Sequence, residues 1–415
     1  MTTMEQLAQG LLTARPCIAN ATSRQKSALL EAIARSLETG KESVLAANAR
    51  DVAQAAENGL SPVMTDRLLL DSARIDAIAA AVRKVAALPD PVGEVVGGRT
   101  LPNGLRLQKV RVPLGVIGII YEARPNVTVD AAALCLKTSN AVLLRGGKEA
   151  IHSNRALVAR MRAAIEAEGF DPNILTLVED TSRESANAMM RLSGVLDVLI
   201  PRGGAGLIRS VVENASVPVI ETGSGNCHIY VDRDADLSMA ADILYNAKTS
   251  RPSVCNACES LLVHEAVAAE FLPLAAARLA DKQVELRGCP RTRAVLGDRA
   301  APATEADYAA EFLDYILSVK VVDDIGEAIA HIARYSTHHS EAIVTSSLAA
   351  ANRFTAEVDS AAVYVNASTR FTDGEEFGFG AEIGIATQKL HARGPMGLPE
   401  LTSTKYILTG NGQLR

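Results

Sequence analysis

The sequence predicts an α/β protein made of parallel sheets covered by helices, and three observations predict it. From residue 116 onward, short apolar runs alternate with helical patterns, the order that builds a parallel sheet with crossover helices. Aromatics are only 4% and Trp is absent, so the core must come from Ala, Val, Ile and Leu, which suits strands buried on both faces under Ala-rich helices. The 415 residues, 48% hydrophobic and 22% charged, match two or three globular domains and exclude a disordered, collagenous or coiled-coil chain.

The first hundred residues read as helices. Thr22 or Ser23 caps one whose apolar face is Leu29, Leu30, Ile33 and Leu37, and Gly40 stops it. A second runs over 44–56 before Asn58-Gly59, and a third uses Ile75, Ile78, Val82 and Val85 up to Pro89. Pro102-Asn103-Gly104 is a turn, and 105–108 alternates as a half-exposed strand does. Strands are then expected at 116–120, 141–144, 174–178, 195–200 and 217–220, with helices at 130–137, 150–168, 185–192 and 206–214. After Cys255 the alternation resumes: strands 260–263, 316–321, 342–345 and 361–365, helices 266–279, 325–335 and 347–354. Two α/β units emerge, joined near 231–236, and 401–408 reads as a closing strand.

The net charge of −6 argues against a nucleic-acid or membrane-surface partner. No apolar run reaches the roughly 18 residues of a membrane span, because 112–121 is broken by Pro113, Gly115 and Gly118. Residues 1–14 carry Glu5, Gln6 and Gln9, so no secretory signal is expected. Six cysteines are too sparse for a disulfide scaffold, which points to a cytoplasmic chain with reduced thiols.

Six segments hold residue types that do chemistry. Pro201, Arg202, Gly203, Gly204 and Gly206 follow an apolar run and open a helix, a turn whose amides suit an anion, although its spacing departs from the usual dinucleotide fingerprint. Arg145, Gly146, Gly147 and Lys148 end another run, where open α/β sheets bind ligands. Cys255 lies in a Pro-containing loop, and Cys258 follows it; a nucleophilic thiolate, a buried structural thiol and a Cys-x-x-Cys redox or metal pair all remain open from spacing alone. Glu221 heads a Gly-rich turn as a base or a supporting carboxylate. Arg124 suits a substrate carboxylate and Asn126 an oxyanion. Ser368, Thr369, Arg370 and Asp373 form a donor-rich stretch after the last strand of the second unit, followed by a Gly-Phe-Gly run.

Taken in order, these motifs resemble the aldehyde dehydrogenase superfamily: an Asn oxyanion donor, a basic cofactor loop, a glycine loop, Glu-x-Gly-x-Gly, then a nucleophilic Cys. The strings at 121–126, 144–148, 201–206, 250–256, 363–373, 389–398 and 410–413 are similar to the branch that acts on an acyl phosphate. The resemblance implies an aldehyde dehydrogenase-like fold, with a Rossmann-type cofactor domain over 1–104 and 125–231. It implies a catalytic domain over 232–390 and oligomerisation strands in 105–124 and 391–415. It makes Cys255 the nucleophile and Asn126 an oxyanion donor, and puts NADPH/NADP+ on Arg145, Gly146, Gly147, Lys148, Pro201, Arg202, Gly203, Gly204 and Gly206, with Glu221 beside them. Lys148 falls where NAD-preferring members hold a ribose-binding Glu, which agrees with NADPH, although Glu149 is its neighbour. The implied reaction is reduction of L-glutamyl 5-phosphate to L-glutamate 5-semialdehyde, the second step from glutamate to proline. Arg124, Ser368, Thr369 and Arg370 are then candidates for the α-carboxylate, and Glu221 or Asp373 for the α-ammonium. A homo-oligomer, dimer or tetramer, is expected, and contact with glutamate 5-kinase would shield the labile acyl phosphate. The rival readings are a hydrolytic NAD(P)-dependent aldehyde dehydrogenase, a thiol redox or metal module, and a non-catalytic binding protein.

Overall fold

Two α/β units divide the chain, the first taking residues up to 222 with 379–384 and 396–415, the second 223–378 with 385–395. The computed structural model describes residues 3–60 and 62–415, and of residues 62 and 63 only the backbone. Met1 and Thr2, in the segment read as lacking a secretory signal, lie outside the described residues.

The first unit opens with helices whose starts the sequence writes out. Thr22 accepts from the backbone of Gln25 while the Gln25 side chain accepts from the backbone of Thr22, a capping box that begins the helix Ser23–Thr39 before Gly40. Asp71 caps Ser72–Ala87, which stops at Leu88 because Pro89 follows. Strands β1 (Val95–Thr100) and β2 (Arg106–Pro113) come next, then β3 (Val116–Tyr121), β4 (Ala141–Arg145), β5 (Leu175–Leu177) and β6 (Val198–Arg202). The last four form a parallel sheet in the order β5-β4-β3-β6. Every residue of β3 is buried, as a central strand covered by helices requires.

The second unit holds β7 (Cys227–Val231), β8 (Cys258–His264), β9 (Glu285–Gly288), β10 (Ala301–Pro302), β11 (Ile316–Val322), β12 (Ser340–Val344) and β13 (Ala362–Val365). They make one seven-stranded parallel sheet in the order β10-β9-β11-β8-β7-β12-β13. Ile229, Val231, Leu261, Val263, Leu317 and Val319 are fully buried on it under Phe271 and Leu272. A short pair, β14 (Ile385–Ala386) with β15 (Gly394–Pro395), completes this unit. The closing strand β16 (Thr402–Thr409) returns to the first unit and pairs antiparallel with β2, which also pairs with β1.

The expected layout needs four corrections. The boundary falls between Thr222 and Gly223 rather than near 231, because β7 pairs with β8 and β12. Residues 116–121, grouped with the oligomerisation strands, are the centre of the first sheet. Residues 217–220 form only a bridge at Val219 to Leu199, since Pro218 has no amide to give. The helix expected at 130–137 starts at Pro125, so Asn126 sits in its first turn instead of a loop. Among the described residues, no helix is long and apolar enough to cross a membrane.

Candidate active site

In the first unit, the carboxyl ends of the parallel strands open onto a cleft of about 790 Å³ lined by Tyr121, Glu122, Arg145, Lys148, Thr181 and Leu207, among others. That is where an open α/β sheet takes its ligand. Of the two expected loops, the first lines it through Arg145, Gly147 and Lys148, while the second contributes only through the helix it opens, at Leu207, Ser210 and Val211. Arg145 donates from Nη2 to the carbonyls of Thr181 (2.8 Å) and Ser182 (3.0 Å), so its guanidinium anchors a loop and offers a phosphate less than expected. Its burial lowers the guanidinium pKa. Lys148 is exposed on the cleft wall, with half-buried Glu149 beside it. A methyl group on Gly146 would fall 2.2 Å from Asn154 Nδ2, so only glycine fits there. Beneath it, Tyr121 and Thr128 share a hydrogen bond (2.6 Å), and Thr128 donates to Asn154 Oδ1 (2.8 Å), which fixes the end of β3.

The Gly203-Gly204 turn caps the helix Ala205–Asn214, and its amide does face an anion, but one belonging to the protein. Gly204 N–H donates to Glu122 Oε2 at 3.0 Å, and a Cβ on Gly203 would come within 2.7 Å of that carboxyl group. Glu122 was missed as a site residue, since 82 residues separate it from Gly204. A Cβ on Gly206 would meet only open space, so nothing in the fold itself demands that glycine. Thr222 donates to the carbonyl of Pro201 (2.6 Å), which ties the Glu221 turn to the end of β6 and puts half-buried Glu221 on the same side as these loops. Asn126, exposed at the head of its helix, donates from Nδ2 to Asp130 Oδ2 at 3.0 Å. Burial pushes the Asp130 carboxyl up to about 6, while the charge of Arg202 works the other way. Arg124 caps that helix without a side-chain cap bond.

In the second unit, Cys255 lies half-buried in the loop between the helix Leu237–Thr249 and β8. Both ends of that loop are pinned by an ion pair between Lys248 Nζ and Glu259 Oε2, 2.5 Å apart with both side chains fully buried. Gly225 packs so closely that a Cβ there would overlap the carbonyl of Cys255, 1.4 Å away. Asn256 is buried and donates to the carbonyls of Arg370 (3.2 Å) and Thr372 (2.9 Å), while Thr369 donates to the carbonyl of Asn256 (2.7 Å). Arg370 donates to Asn256 Oδ1 and to Ser250 Oγ (3.1 Å). Ser368 caps the single turn Thr369–Phe371. Thr369 and Arg370, expected at the substrate's α-carboxylate, thus fasten the cysteine loop. Asn256 is the member of this clasp that the residue-by-residue reading passed over.

The other thiols near Cys255 differ sharply from it. Cys258 is buried and directed at the carbonyl of Ser260 (3.4 Å), and burial pushes its thiol up to about 12. Cys227 is buried beside the carbonyl of Cys255 (3.2 Å), with its pKa raised well above the ordinary value by loss of water and by Glu341. Neither is an ionised thiol near neutral pH, which removes the Cys-x-x-Cys pair as a working nucleophile couple. Among the described residues, no group of three His, Cys, Asp or Glu side chains is placed to hold a metal ion.

Known proteins resemble this chain in sequence and fold. Residues 5–293 match the model of the aldehyde dehydrogenase family. A gamma-glutamyl phosphate reductase of Carboxydothermus hydrogenoformans is 61% identical over 96% of both chains. One from Moorella thermoacetica is 62% identical over 95% of this chain and 94% of its own. The crystal structure of the Thermotoga maritima gamma-glutamyl phosphate reductase superposes with a TM-score of 0.97 at 49% identity over 99% of both chains. An engineered glycolyl-CoA reductase with bound NADP+, 16% identical, shares the fold with a TM-score of 0.70 over 99% of this chain and 97% of its own. The chain belongs to the aldehyde dehydrogenase family and, within it, to the gamma-glutamyl phosphate reductases.

Proposed function

We propose that this chain reduces L-glutamyl 5-phosphate to L-glutamate 5-semialdehyde and phosphate with NADPH, the second step of proline biosynthesis from glutamate. The observation that carries the chemistry is the contrast among the three thiols gathered at one loop: Cys255 is half-buried on a clasped loop, while Cys227 and Cys258 are sealed in the core. The names of relatives more than half identical over nearly the whole chain support the substrate. The Cys255 thiolate attacks the acyl carbon, and phosphate leaves with the electron pair of the C–O bond, giving a thioester. NADPH, when bound, supplies the hydride that takes this acyl group to the aldehyde level. Expulsion of the thiolate then frees the aldehyde. We assign Asn126 to the oxyanion, where losing one donor costs about 10²–10³ in rate. Its bond to Asp130 fixes the direction of the amide.

The first-unit cleft fits a dinucleotide: about 790 Å³, Gly147 and Lys148 on its wall, and, on the neighbouring turn, space over Gly206 that no side chain of the fold fills. Gly146, Gly147, Pro201, Arg202, Gly203 and Gly204 would shape its floor, and exposed Lys148 suits a 2′-phosphate, which favours NADPH over NADH. Glu221 is assigned to this cofactor side. Activating water there would waste the thioester. Arg124 remains the substrate carboxylate candidate, with Ser368 beside the clasp. The sheet β1-β2-β16 exposes Val95, Val96, Tyr406, Ile407 and Leu408, so pairing between subunits as a dimer or tetramer fits it. Cytoplasmic residence and hand-over of the acyl phosphate by contact with glutamate 5-kinase belong to this same reading.

The reverse reaction tests it. Semialdehyde and NADP+ should yield NADPH only when inorganic phosphate is added. Equal NADPH production without phosphate would make this a hydrolytic dehydrogenase and overturn the assignment.

A further inference from the structure

We infer that Arg370 is a positioning residue for Cys255: its guanidinium spans the cysteine loop, fixes the sulfur's place and puts a positive charge on that loop. The inference rests on Cys255 being the nucleophile, and it gives Arg370 a role other than holding the substrate's carboxylate.

The geometry is a fork. Nε donates to Ser250 Oγ at 3.1 Å on one side of the loop, and Nη1 donates to Asn256 Oδ1 on the other, so five residues including Cys255 lie between the two points held. A planar guanidinium with fixed donor directions can span two such acceptors, and an ammonium cannot hold both in the same way. The clasp is closed by Asn256, which donates back to the carbonyls of Arg370 and Thr372, and by Thr369, which donates to Asn256. It is anchored in turn to the sheet, because Thr372 Oγ1 lies 2.6 Å from Ser340 Oγ on β12 and 2.7 Å from Tyr364 Oη on β13. The loop that carries the nucleophile is therefore fastened to two parallel strands through one arginine and one asparagine.

The charge matters as well as the shape. The groups whose charges act on the Arg370 guanidinium are Arg251, Asp373, Cys255 and Cys227. Cys227 is held neutral by burial. Arg251, exposed at the other shoulder of the loop, adds a second positive charge, and Asp373 opposes both. A cation desolvated next to a sulfur favours the thiolate, the form that attacks an acyl carbon. A guanidinium whose Nε and Nη1 are held by Ser250 and Asn256 is fixed to the loop, so a substrate-carboxylate role and a loop-positioning role make opposite predictions.

The experiment is alkylation of Cys255 by iodoacetamide in the full-length protein without substrate, followed against pH by peptide mass mapping, alongside steady-state kinetics. Arg370→Gln should move the midpoint of Cys255 alkylation upward by about half a pH unit or more and lower kcat at least about tenfold, with KM for the semialdehyde changed less than about threefold. Arg370→Lys, which keeps the charge and loses the fork, should leave the alkylation midpoint near that of the unaltered protein while still lowering kcat. It also serves as the deciding variant if Arg370→Gln fails to fold. A raised KM with unchanged alkylation and kcat would assign Arg370 to the substrate and overturn the inference. Unchanged kcat and midpoint in Arg370→Lys would overturn the fork. Loss of all turnover in Cys255→Ser tests the underlying nucleophile assignment separately, so the two failures stay distinguishable.

Discussion

The two units use the same device, loops at the ends of parallel strands, and treat those loops in opposite ways. In the first, the loop residues Lys148, Gly204 and Gly206 are exposed, and the anion at the Gly204 amide is a protein carboxylate, Glu122, reaching over from the end of β3. Asp51 fills a second helix start the same way, accepting from the amides of His152 (3.2 Å) and Ser153 (2.7 Å). In the second unit, the cysteine loop is locked at both ends by a buried ion pair and across its middle by Asn256, Thr369 and Arg370. On the proposed function a cofactor must arrive and leave in every turnover, which open loops permit. A nucleophile that forms a covalent bond must return to one position, and small misplacements there cost about 10²-fold.

The sharpest way to break this comparison is within the locked loop. Cys255→Ser should lower phosphate-dependent turnover by more than about 10³-fold, because the hydroxyl lacks a thiolate's nucleophilicity. Cys258→Ser should keep turnover within about tenfold, at some cost in stability for a polar group placed in the buried core. Turnover lost in Cys258→Ser with Cys255→Ser active would reverse the assignment, and stopped-flow detection of NADPH would show it directly.

A smaller effect is expected on the open loops. Lys148→Glu should raise KM for NADPH by about 10- to 100-fold, raise KM for NADH little, and leave the melting temperature nearly unchanged, since an exposed lysine supports no packing. KM for the two cofactors, measured side by side, checks it. Equal changes for both would place Lys148 away from the 2′-phosphate.

Much of this arrangement was legible in the chain, and the rest was hidden for physical reasons. The capping box at Thr22 and the apolar runs of the two sheets are local signals, and local signals read well. Strand β1 went unread because Val95, Val96, Gly97, Gly98, Arg99 and Thr100 are all exposed and show no alternation. The start of the Asn126 helix was placed too late because the Arg124-Pro125 pair reads as a turn, whereas proline is well accepted in a helix's first position. The partner of the Gly204 amide and the clasp on the cysteine loop were invisible for another reason. Glu122 is 82 residues from Gly204, and Asn256 is 114 from Arg370, so only the folded sheet brings them together. Resemblance alone suggests the proposed roles of Cys255 and Asn126. It gave no hint that Arg145 and Arg370 would spend their donors on the protein itself.

The smallest effect separates the units by acid. Six of the seven histidines belong to the second unit, and His331 is buried against Tyr335 (ring centroids 4.5 Å apart), Tyr308 (5.1 Å) and His228 (5.5 Å) with both ring nitrogens unpaired. Loss of water pulls its pKa down to about 3, and His339 is pulled down to about 4 in the same way. The unfolded chain therefore binds protons below about pH 6.5 that the folded one refuses, so these groups leave stability intact above 6.5 and erode it as pH falls. One such group costs about 1.4 kcal/mol per pH unit in that window. Glu259, raised by burial to about 7, acts with the opposite sign between its ordinary value and 7, and contributes equally to parent and variant. His331→Phe fills the same aromatic site without a titrating group. Its loss of melting temperature between pH 7.5 and 5.5 should be smaller than the parent's by about 3–5 °C. Thermal unfolding at the two pH values measures it. Equal losses in both proteins would mean that acid reaches the first unit first, or that His331 takes up its proton without leaving the fold.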